Sequence, residues 1–481
     1  MLTPEQAVAQ TGARRWLCLA ILLVGSFLPP LDYFIVNIAL PFIKADLQAS
    51  DGLMQASVSI YAAAFALFLI LGGRLGDRYG PRRIFILGML GFAAASVACG
   101  TAGSDLGLVL ARFVQGLFAA IMAPQSLALI HANFNGKDKT LALSLYASIF
   151  GLACLVGQGA GGLLIAADIG GLGWRSLFLI NVPIVLLCLL AAVRLLNESP
   201  RHPPRALDIR GCALFAGFLL PLLTCLIEAV PRGWPWWSWL GLALSALSLG
   251  LFVTWETRLK RNGGTPFVDL EIFCLPALLP GFLALFCFYA ISPFFLIYAD
   301  YLQSGFQLGP AAVGARILPF GVGFFLAALG SAFLGQRPGK PGALMGLSLQ
   351  AASMLTVILC VGGTRPDLLY LPLVLLGAGQ GFALPAMVGV VSDTLNRHQA
   401  GMSAGLINTV LQCSSAFFVA SIGGAFFAVK NHLPGAAGLS QALIAAALLI
   451  LLCQLLALWL IRLAIARQTA SALPLPTPNV T

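Results

Sequence analysis

Charge is what this sequence has least of: aspartate, glutamate, lysine and arginine together make 9% of its 481 residues, against about 25% in an ordinary soluble domain. So small a charged fraction cannot cover the surface of a water-soluble fold, which excludes that class. Paired cysteines are missing too. The eleven cysteines stand singly, without a CxxC pair, mostly inside apolar runs where the thiol acts as a small hydrophobe. Neither a disulfide framework nor a bound metal is expected. Histidine is scarce and scattered: His131, His202, His398 and His432 fall in loops or at helix ends, and Gly136, not an acid, follows His131 by five positions. A polytopic membrane acyl- or glycosyltransferase would need an acid/base or metal cluster near the interface, so these histidines argue against an enzyme. A GxxxxGK[ST] phosphate loop is absent, which leaves ATP-driven transport unsupported in this chain. No cofactor is expected. The basic residues form no clustered patch that would suit nucleic acid.

What the sequence has in quantity is apolar surface, 59% of residues. Lipid is the solvent that suits it, and helices satisfy their own backbone hydrogen bonds there. The runs are too long for the short alternating strands of a β-barrel. A span needs about 20 mostly apolar residues. That rule places helices at 16–40, 53–73, 84–103, 106–130, 140–166, 174–196, 209–230, 236–256, 276–299, 310–335, 341–362, 367–392, 399–428 and 437–463. The first run follows Arg14 and Arg15 as a signal peptide would, but it is longer than an h-region and lacks a small-x-small cleavage site, so it reads as the first membrane helix.

Charge supports the count and sets the orientation. With both termini in the cytoplasm and each helix crossing once, twenty of the 27 lysines and arginines fall in cytoplasmic segments and five in outer loops. Arg112 and Arg316 fall within helices or at their edges. This is the asymmetry of the positive-inside rule, and it accounts for the net charge of +10 as basic residues facing anionic lipid headgroups. The fold expected is an all-α membrane protein of fourteen helices.

Two segments expected as cytoplasmic loops resemble each other: Leu75-Gly76-Asp77-Arg78-Tyr79-Gly80 after the second helix and Leu334-Gly335-Gln336-Arg337-Pro338-Gly339 after the tenth. They are equivalent if two six-helix bundles are separated by an inserted pair, and parallel halves around a midplane cavity are a transporter architecture. The segment Gly73-Arg74-Leu75-Gly76-Asp77-Arg78-Tyr79-Gly80-Pro81-Arg82-Arg83 resembles the loop motif of the major facilitator superfamily. Leu31-Asp32-Tyr33-Phe34-Ile35-Val36-Asn37-Ile38-Ala39-Leu40-Pro41 resembles the first-helix motif of that superfamily's drug/proton antiporters, in their fourteen-helix branch. Trp174-Arg175-Ser176-Leu177-Phe178-Leu179-Ile180-Asn181-Val182-Pro183, Asp208-Ile209-Arg210-Gly211 and Pro266-Phe267-Val268-Asp269-Leu270 fit the same branch, so the likeness covers nearly the whole chain.

The resemblance implies an N-terminal six-helix bundle at 1–200, an inserted and peripheral helix pair at 201–262, a C-terminal bundle at 263–467 and a disordered Pro-rich tail at 468–481. It also implies a conformational latch at Gly73, Arg74, Asp77, Arg78, Gly80, Arg82 and Arg83, with Asp77 pairing arginines at the cytoplasmic mouth. Arg112-Phe113-Val114-Gln115-Gly116 looks like the family's helix-four motif. Helix five carries Gly157-Gln158-Gly159-Ala160-Gly161-Gly162, whose small residues are expected to let it approach the eleventh-equivalent helix and seal the cytoplasmic exit.

Three positions depart from the antiporter pattern. Gln158 stands where the family has proline and Ala153 where it has glycine; Phe34 replaces a threonine beside Asp32. Helix thirteen has Leu411 where many relatives carry arginine. The polar cavity is therefore expected to be sparse, which favours hydrophobic or lipophilic-cationic cargo.

Ionisable groups at membrane depth are costly and mark function by default. Asp32 is the first choice for a proton-coupling or substrate-contacting acid, with Asn37 about a turn and a half on. Arg112 is always protonated and would tune that acid, with Gln115 on the same turn. Asp300 is a further candidate for proton coupling or substrate contact, on a helix expected to line the C-terminal half of the cavity. It also lies between Tyr298 and Tyr301, spaced like an interfacial belt, with Arg316 as a candidate partner. Glu228 reads as interfacial. The function expected is proton-coupled efflux by alternating access, multidrug-type, in a multi-pass monomer of the bacterial cytoplasmic membrane, whose partners are small molecules, protons and lipid. Export of a specific endogenous metabolite on the same fold is the alternative.

Overall fold

The computed structural model describes residues 12–49, 51–198, 208–229, 232–333, 340–361, 366–394, 400–433 and 435–471, and every regular element among them is helical. The first six helical rods are α1 (Gly12–Leu47), α2 (Asp51–Tyr79), α3 (Pro81–Gly100), α4 (Asp105–Asn133), α5 (Gly136–Ala167) and α6 (Gly173–Leu195). Then come α7 (Ile209–Glu228) and α8 (Trp236–Arg261). The last six are α9 (Leu278–Phe306), α10 (Pro310–Phe333), α11 (Lys340–Cys360), α12 (Tyr370–Ser392), α13 (Ala400–Phe418, continued to His432) and α14 (Ala436–Ser471). Thirteen helices among the described residues are long and apolar enough to cross a membrane. In α5 the apolar stretch is the shorter Leu141–Gly157.

The rods overrun the apolar runs, because a helix continues past the hydrocarbon core wherever good helix formers follow. The segment expected as a loop after the second helix shows this. Residues through Tyr79 complete α2, Gly80 alone leaves the helix with φ 99°, and Pro81 restarts it as the first residue of α3. Glycine tolerates that left-handed conformation, and proline suits a helix start, where its missing N–H costs nothing. The matching segment at 334–339 lies outside the described residues. At the other end of the chain α14 runs to Ser471, past Arg467, where the tail was expected to begin.

Three rods are interrupted. The helix of α6 opens with 3-10 geometry at Gly173–Arg175 and turns at Ile180 before Asn181. In α9 it tightens to 3-10 at Tyr289–Ile291, ahead of Pro293, and in α13 it widens to a π-turn at Val419–Gly423.

Packing repeats between the two sets of six. The second helix of each closes on the fourth through glycine. A Cβ on Gly72 of α2 would lie 2.5 Å from the Ala120 carbonyl of α4, and one on Gly377 of α12 would lie 2.0 Å from the Phe320 carbonyl of α10. The sets meet through matched pairs, α5 with α10 and α2 with α13. Gly151 packs against Phe324, Gly321 against Leu155, and Gly405 against Ile70. Helix five therefore leans on α10, and its Gly157 abuts Phe34 of α1.

The inserted pair is not peripheral throughout. Phe215, Leu219 and Leu223 of α7 share one buried core with Ala63, Ala66, Leu67 and Ile70 of α2. Amphipathic sorting explains it: α7 has a Phe/Leu face to bury between the sets, whereas α8 turns Trp239, Leu240, Leu244, Leu247 and Leu251 outward.

Candidate functional site

Asp32 and Arg112, eighty residues apart, meet in the core of the first six helices, both fully buried. Pro29 and Pro30 precede Asp32 in α1, and the Pro29 carbonyl accepts from the Tyr61 hydroxyl of α2 at 2.9 Å. That bond holds the Tyr61 ring against the Arg112 guanidinium, 4.1 Å from its carbon. Arg112 Nη1 donates to Asp32 Oδ2 and, at 2.7 Å, to Gln115 Oε1. Its Nε donates to the Ser57 carbonyl at 3.2 Å. The buried Nη2 has no hydrogen-bond partner.

The other carboxylate oxygen is held by amides. Asp32 Oδ1 accepts from Gln115 Nε2 at 2.9 Å and from Asn181 Nδ2 at 3.0 Å. Gln115 Nε2 also donates to Ser96 Oγ at 3.0 Å. Helices α4 and α6 thus converge on the carboxylate of α1, and α3 joins them through Gln115. Asp32 is fully buried and does not face water. The buried carboxylate is met by a guanidinium and two amide donors.

Sequence reasoning brought Asp32, Arg112 and Gln115 forward and missed Asn181, Ser96 and Tyr61. Asn181 had a signal, an amide in an otherwise apolar run where the α6 helix turns. The side chains of Asn37, Gln158, Gly162 and Glu228 lie outside the described residues, and Gly161 is buried within α5.

Asp300 is elsewhere. Its carboxylate accepts from Lys430 Nζ of α13 at 2.6 Å and from Ser304 Oγ at 3.3 Å. Tyr298 and Tyr301 are buried in the core of the second set, with Tyr298 stacked on Phe294, so they form no interfacial belt. Both belong to the buried core shared by the helices of that set, where the Tyr301 hydroxyl donates to the Val361 carbonyl at 3.4 Å.

The motif at the α2–α3 junction is engaged on two sides. Arg74 Nη2 donates to the Pro266 carbonyl at 2.5 Å and the Phe267 carbonyl at 3.0 Å, in the strap between α8 and α9. The acid met by Arg82 and Arg83 is Glu198, beyond α6. It accepts from the Arg82 backbone N–H at 3.2 Å and lies 3.5 Å from Arg83 Nε. Arg82 Nη2 also donates to the Val193 carbonyl at 2.6 Å. Asp77 is exposed, and Arg78 lies over the Tyr79 ring at 5.3 Å. Gly80 makes room for Glu198: a Cβ there would lie 2.4 Å from Oε1. Gly73 lies in the last turns of α2, between Gly72 and Arg74.

At the opposite end of the first set, Asp46 accepts from Arg175 Nη1 at 2.6 Å and Trp174 Nε1 at 3.0 Å. These donors hold its carboxyl below the usual carboxylate range.

An aromatic seam joins the two sets. Phe34 of α1 meets Phe150 of α5 at 5.4 Å, and Phe150 meets Phe324 of α10 at 5.8 Å. Phe320 and Phe324 follow at 6.1 Å, and Phe295 of α9 meets Phe320 at 4.7 Å.

Comparison with known proteins agrees with this architecture. The family model described as Major Facilitator Superfamily matches residues 22–420. A probable actinorhodin transporter of Streptomyces coelicolor is 34% identical over 421 residues, covering 86% of this chain and 73% of that protein. A tetracenomycin C resistance and export protein of Streptomyces glaucescens is 32% identical over 85% of this chain and 76% of its own length. A puromycin resistance protein of Streptomyces alboniger is 34% identical over 87% of this chain and 83% of its own. Among solved structures, the human organic anion transporter superposes with a TM-score of 0.62 at 18% identity, over 93% of this chain and 100% of that one. A peptide transporter in complex with sulfate gives 0.62 at 20%, over 93% and 95%. The chain belongs to the major facilitator superfamily, as a multi-pass transporter of the bacterial cytoplasmic membrane whose relatives include antibiotic and multidrug efflux proteins.

Proposed function

We propose that this protein is a proton-coupled antiporter that exports hydrophobic or lipophilic-cationic compounds by alternating access. Fourteen helices cross the membrane in this reading, α5 included, with both termini in the cytoplasm. The first six rock against the last six around a midplane site. The observation that carries the proposal is the fully buried Asp32–Arg112 pair, held by Gln115 and Asn181. A buried pair of this kind is costly to keep and is retained where its making and breaking is used. Asp32 is the coupling acid. Proton entry neutralises it, releases Arg112 and frees α1 and α4 to repack. Arg74, Arg82 and Arg83, with Glu198 and the strap carbonyls, hold the cytoplasmic end closed in one state and let go in the other.

The aromatic seam, with few polar groups about it, supports cargo recognised by apolar area. Two of the relatives are named for one compound each, a probable actinorhodin transporter and a tetracenomycin C resistance and export protein, which favours a second reading in which a specific compound is exported.

Inverted membrane vesicles carrying the parent or Asp32→Asn protein test the reading. With a proton gradient imposed, addition of ethidium should release lumenal protons in the parent and not in Asp32→Asn. No release across a broad panel of lipophilic compounds would refute multidrug antiport, and release that survives Asp32→Asn would remove Asp32 as the coupling acid.

A further inference from the structure

Among the described residues three charged side chains are buried: Asp32, Arg112 and Glu256. The first two neutralise each other. Glu256 lies in α8, in the inserted pair, and alternating access as outlined gives it no task. Its Oε2 accepts from the Val268 backbone N–H at 3.2 Å, whereas its buried Oε1 has no hydrogen-bond partner. Lys260, one turn on, is engaged elsewhere, with Asp269 at 2.6 Å and Glu271 at 2.5 Å.

What borders Oε1 is a second carboxyl. A Cβ placed on Gly211, in the first turn of α7, would lie 2.3 Å from Asp208 Oδ2 and 2.3 Å from Glu256 Oε1. Both oxygens flank one point, and glycine leaves the space between them. Asp208 is fixed in place there. Its Oδ1 accepts from the Gly211 N–H at 2.9 Å, and its two oxygens lie 3.0 and 3.1 Å from Trp255 Nε1. Two ionised carboxylates are acceptors only, with nothing to offer each other but repulsion. One proton between them supplies the missing donor and removes one charge.

We propose that Asp208 and Glu256 form a second proton-binding site, sharing one proton between Oδ2 and Oε1, which fastens the inserted helices to the strap at Pro266–Val268. The strap is held from both sides. Glu256 grips the Val268 N–H, and Arg74 of α2 donates to the Pro266 and Phe267 carbonyls. The other charged groups around the pair are Arg210, which lies over the Trp255 ring at 5.2 Å, and the Lys260–Asp269–Glu271 cluster. Loss of the shared proton sets two like charges against each other, loosens Glu256 from α7, and weakens the footing on which the Arg74 contact rests. The inserted pair then senses protonation at the end of the bundle where the latch motif lies.

The full-length protein in detergent tests this without transport, so failure here is distinguishable from failure of the efflux reading. Thermal unfolding is followed from pH 5.5 to pH 9 for the parent, Glu256→Gln and Asp208→Asn, alongside infrared spectra in the protonated-carboxyl region. In either variant the amide is a permanent donor across the pair. The parent should lose a few degrees of Tm as pH rises, while the variants stay flatter, and a protonated-carboxyl band of the parent should be missing from both. If Glu256→Gln does not fold, Asp208→Asn carries the same comparison. Variants that track the parent at every pH, or an unchanged infrared band, overturn the shared proton.

Discussion

The Asp32–Arg112 pair makes a quantitative prediction that a double-mutant cycle decides. Replacing Arg112 with glutamine removes the charged partner of Asp32 Oδ2 and leaves Oδ1 with two neutral donors, Gln115 and Asn181, at 2.9 and 3.0 Å. A neutral hydrogen bond contributes about 0.5–1.5 kcal/mol net, whereas an uncompensated buried charge costs about 3–5 kcal/mol. The donors cannot offset the loss, so Arg112→Gln should destabilise toward the upper end of that range. Asp32→Asn should cost less, about 3 kcal/mol. The guanidinium it strands keeps Gln115 Oε1 at 2.7 Å, the Ser57 carbonyl at 3.2 Å and the Tyr61 ring at 4.1 Å. With both charges gone no ion is left unpaired, and the double variant should lose only about 0–2 kcal/mol.

The three values together imply a coupling energy of about 5–8 kcal/mol, against the roughly 0.3–0.5 kcal/mol within which independent sites add. Denaturant unfolding of the four proteins in detergent, read by intrinsic fluorescence at neutral pH, measures it. Losses in the single variants that add up in the double would refute the reasoning, since the pair would then be two independent side chains. An Asp32→Asn loss larger than that of Arg112→Gln would refute the asymmetry, and with it the secondary contacts assigned to Arg112.

Two further outcomes follow from the ends of the first six helices. Gly80→Ala should destabilise by about 1–2 kcal/mol, because φ 99° is strained for an L-residue and the added Cβ would lie 2.4 Å from Glu198 Oε1. Its unfolding midpoint should fall, while that of Gly103→Ala, where a Cβ meets nothing within 4 Å, should hold. At the other end Arg175 and Trp174 lower the folded-state affinity of Asp46 for a proton. A depressed carboxyl stabilises the fold above its unfolded value of ~3.9, and the contribution is lost as pH falls through the lower folded value. The pair is partly exposed, so its worth is about 0.2–1 kcal/mol. Asp46→Asn should lower Tm slightly at neutral pH and merge with the parent in acid, as a pH series of melting curves would show.

Asp32, Arg112 and Gln115 were legible in the sequence because each interrupts an apolar run that membrane burial otherwise explains. Their meeting was not, since eighty residues separate the charged pair and hydropathy holds no information about which helices touch. Asn181 escaped because an uncharged amide in a hydrophobic stretch is equally suited to helix packing. For Asp300 the sequence pointed to nearby Arg316 and not to Lys430 of α13, which reaches the carboxylate from 130 residues away. The first helix ran longer than its apolar run because Lys44 and Asp46 count against a span by hydropathy, while the backbone continues its ladder through Leu47. Glu198 lay unnoticed among basic residues, where the charge rule weighs only lysine and arginine.

The halves divide the labour unequally, and the division bears on what is carried. Among the described residues, the fully buried ion pair sits in the first six helices. In the last six, the buried polar groups Gln350, Gln454 and Ser414 are neutral and bonded within that set: Gln350 donates to Gln380 at 2.6 Å, Gln454 to the Phe288 carbonyl at 3.1 Å, and Ser414 to the Phe286 carbonyl at 2.5 Å. Where the sets face each other along Phe34, Phe150, Phe324, Phe320 and Phe295, the contact is ring against ring. Parting such a seam breaks no ion pair and strands no hydrogen-bond donor. It costs apolar area, and each aromatic side chain buries about 150–250 Å² at roughly 25 cal/mol per Å². A flat apolar cargo inserted between rings restores much of that area, so the cost of opening is offset only when cargo is present. A charged or strongly hydrated solute would open the seam without restoring it. Under the proposed reading, proton binding at Asp32 supplies the drive, and the aromatic seam makes the movement conditional on cargo of the right surface.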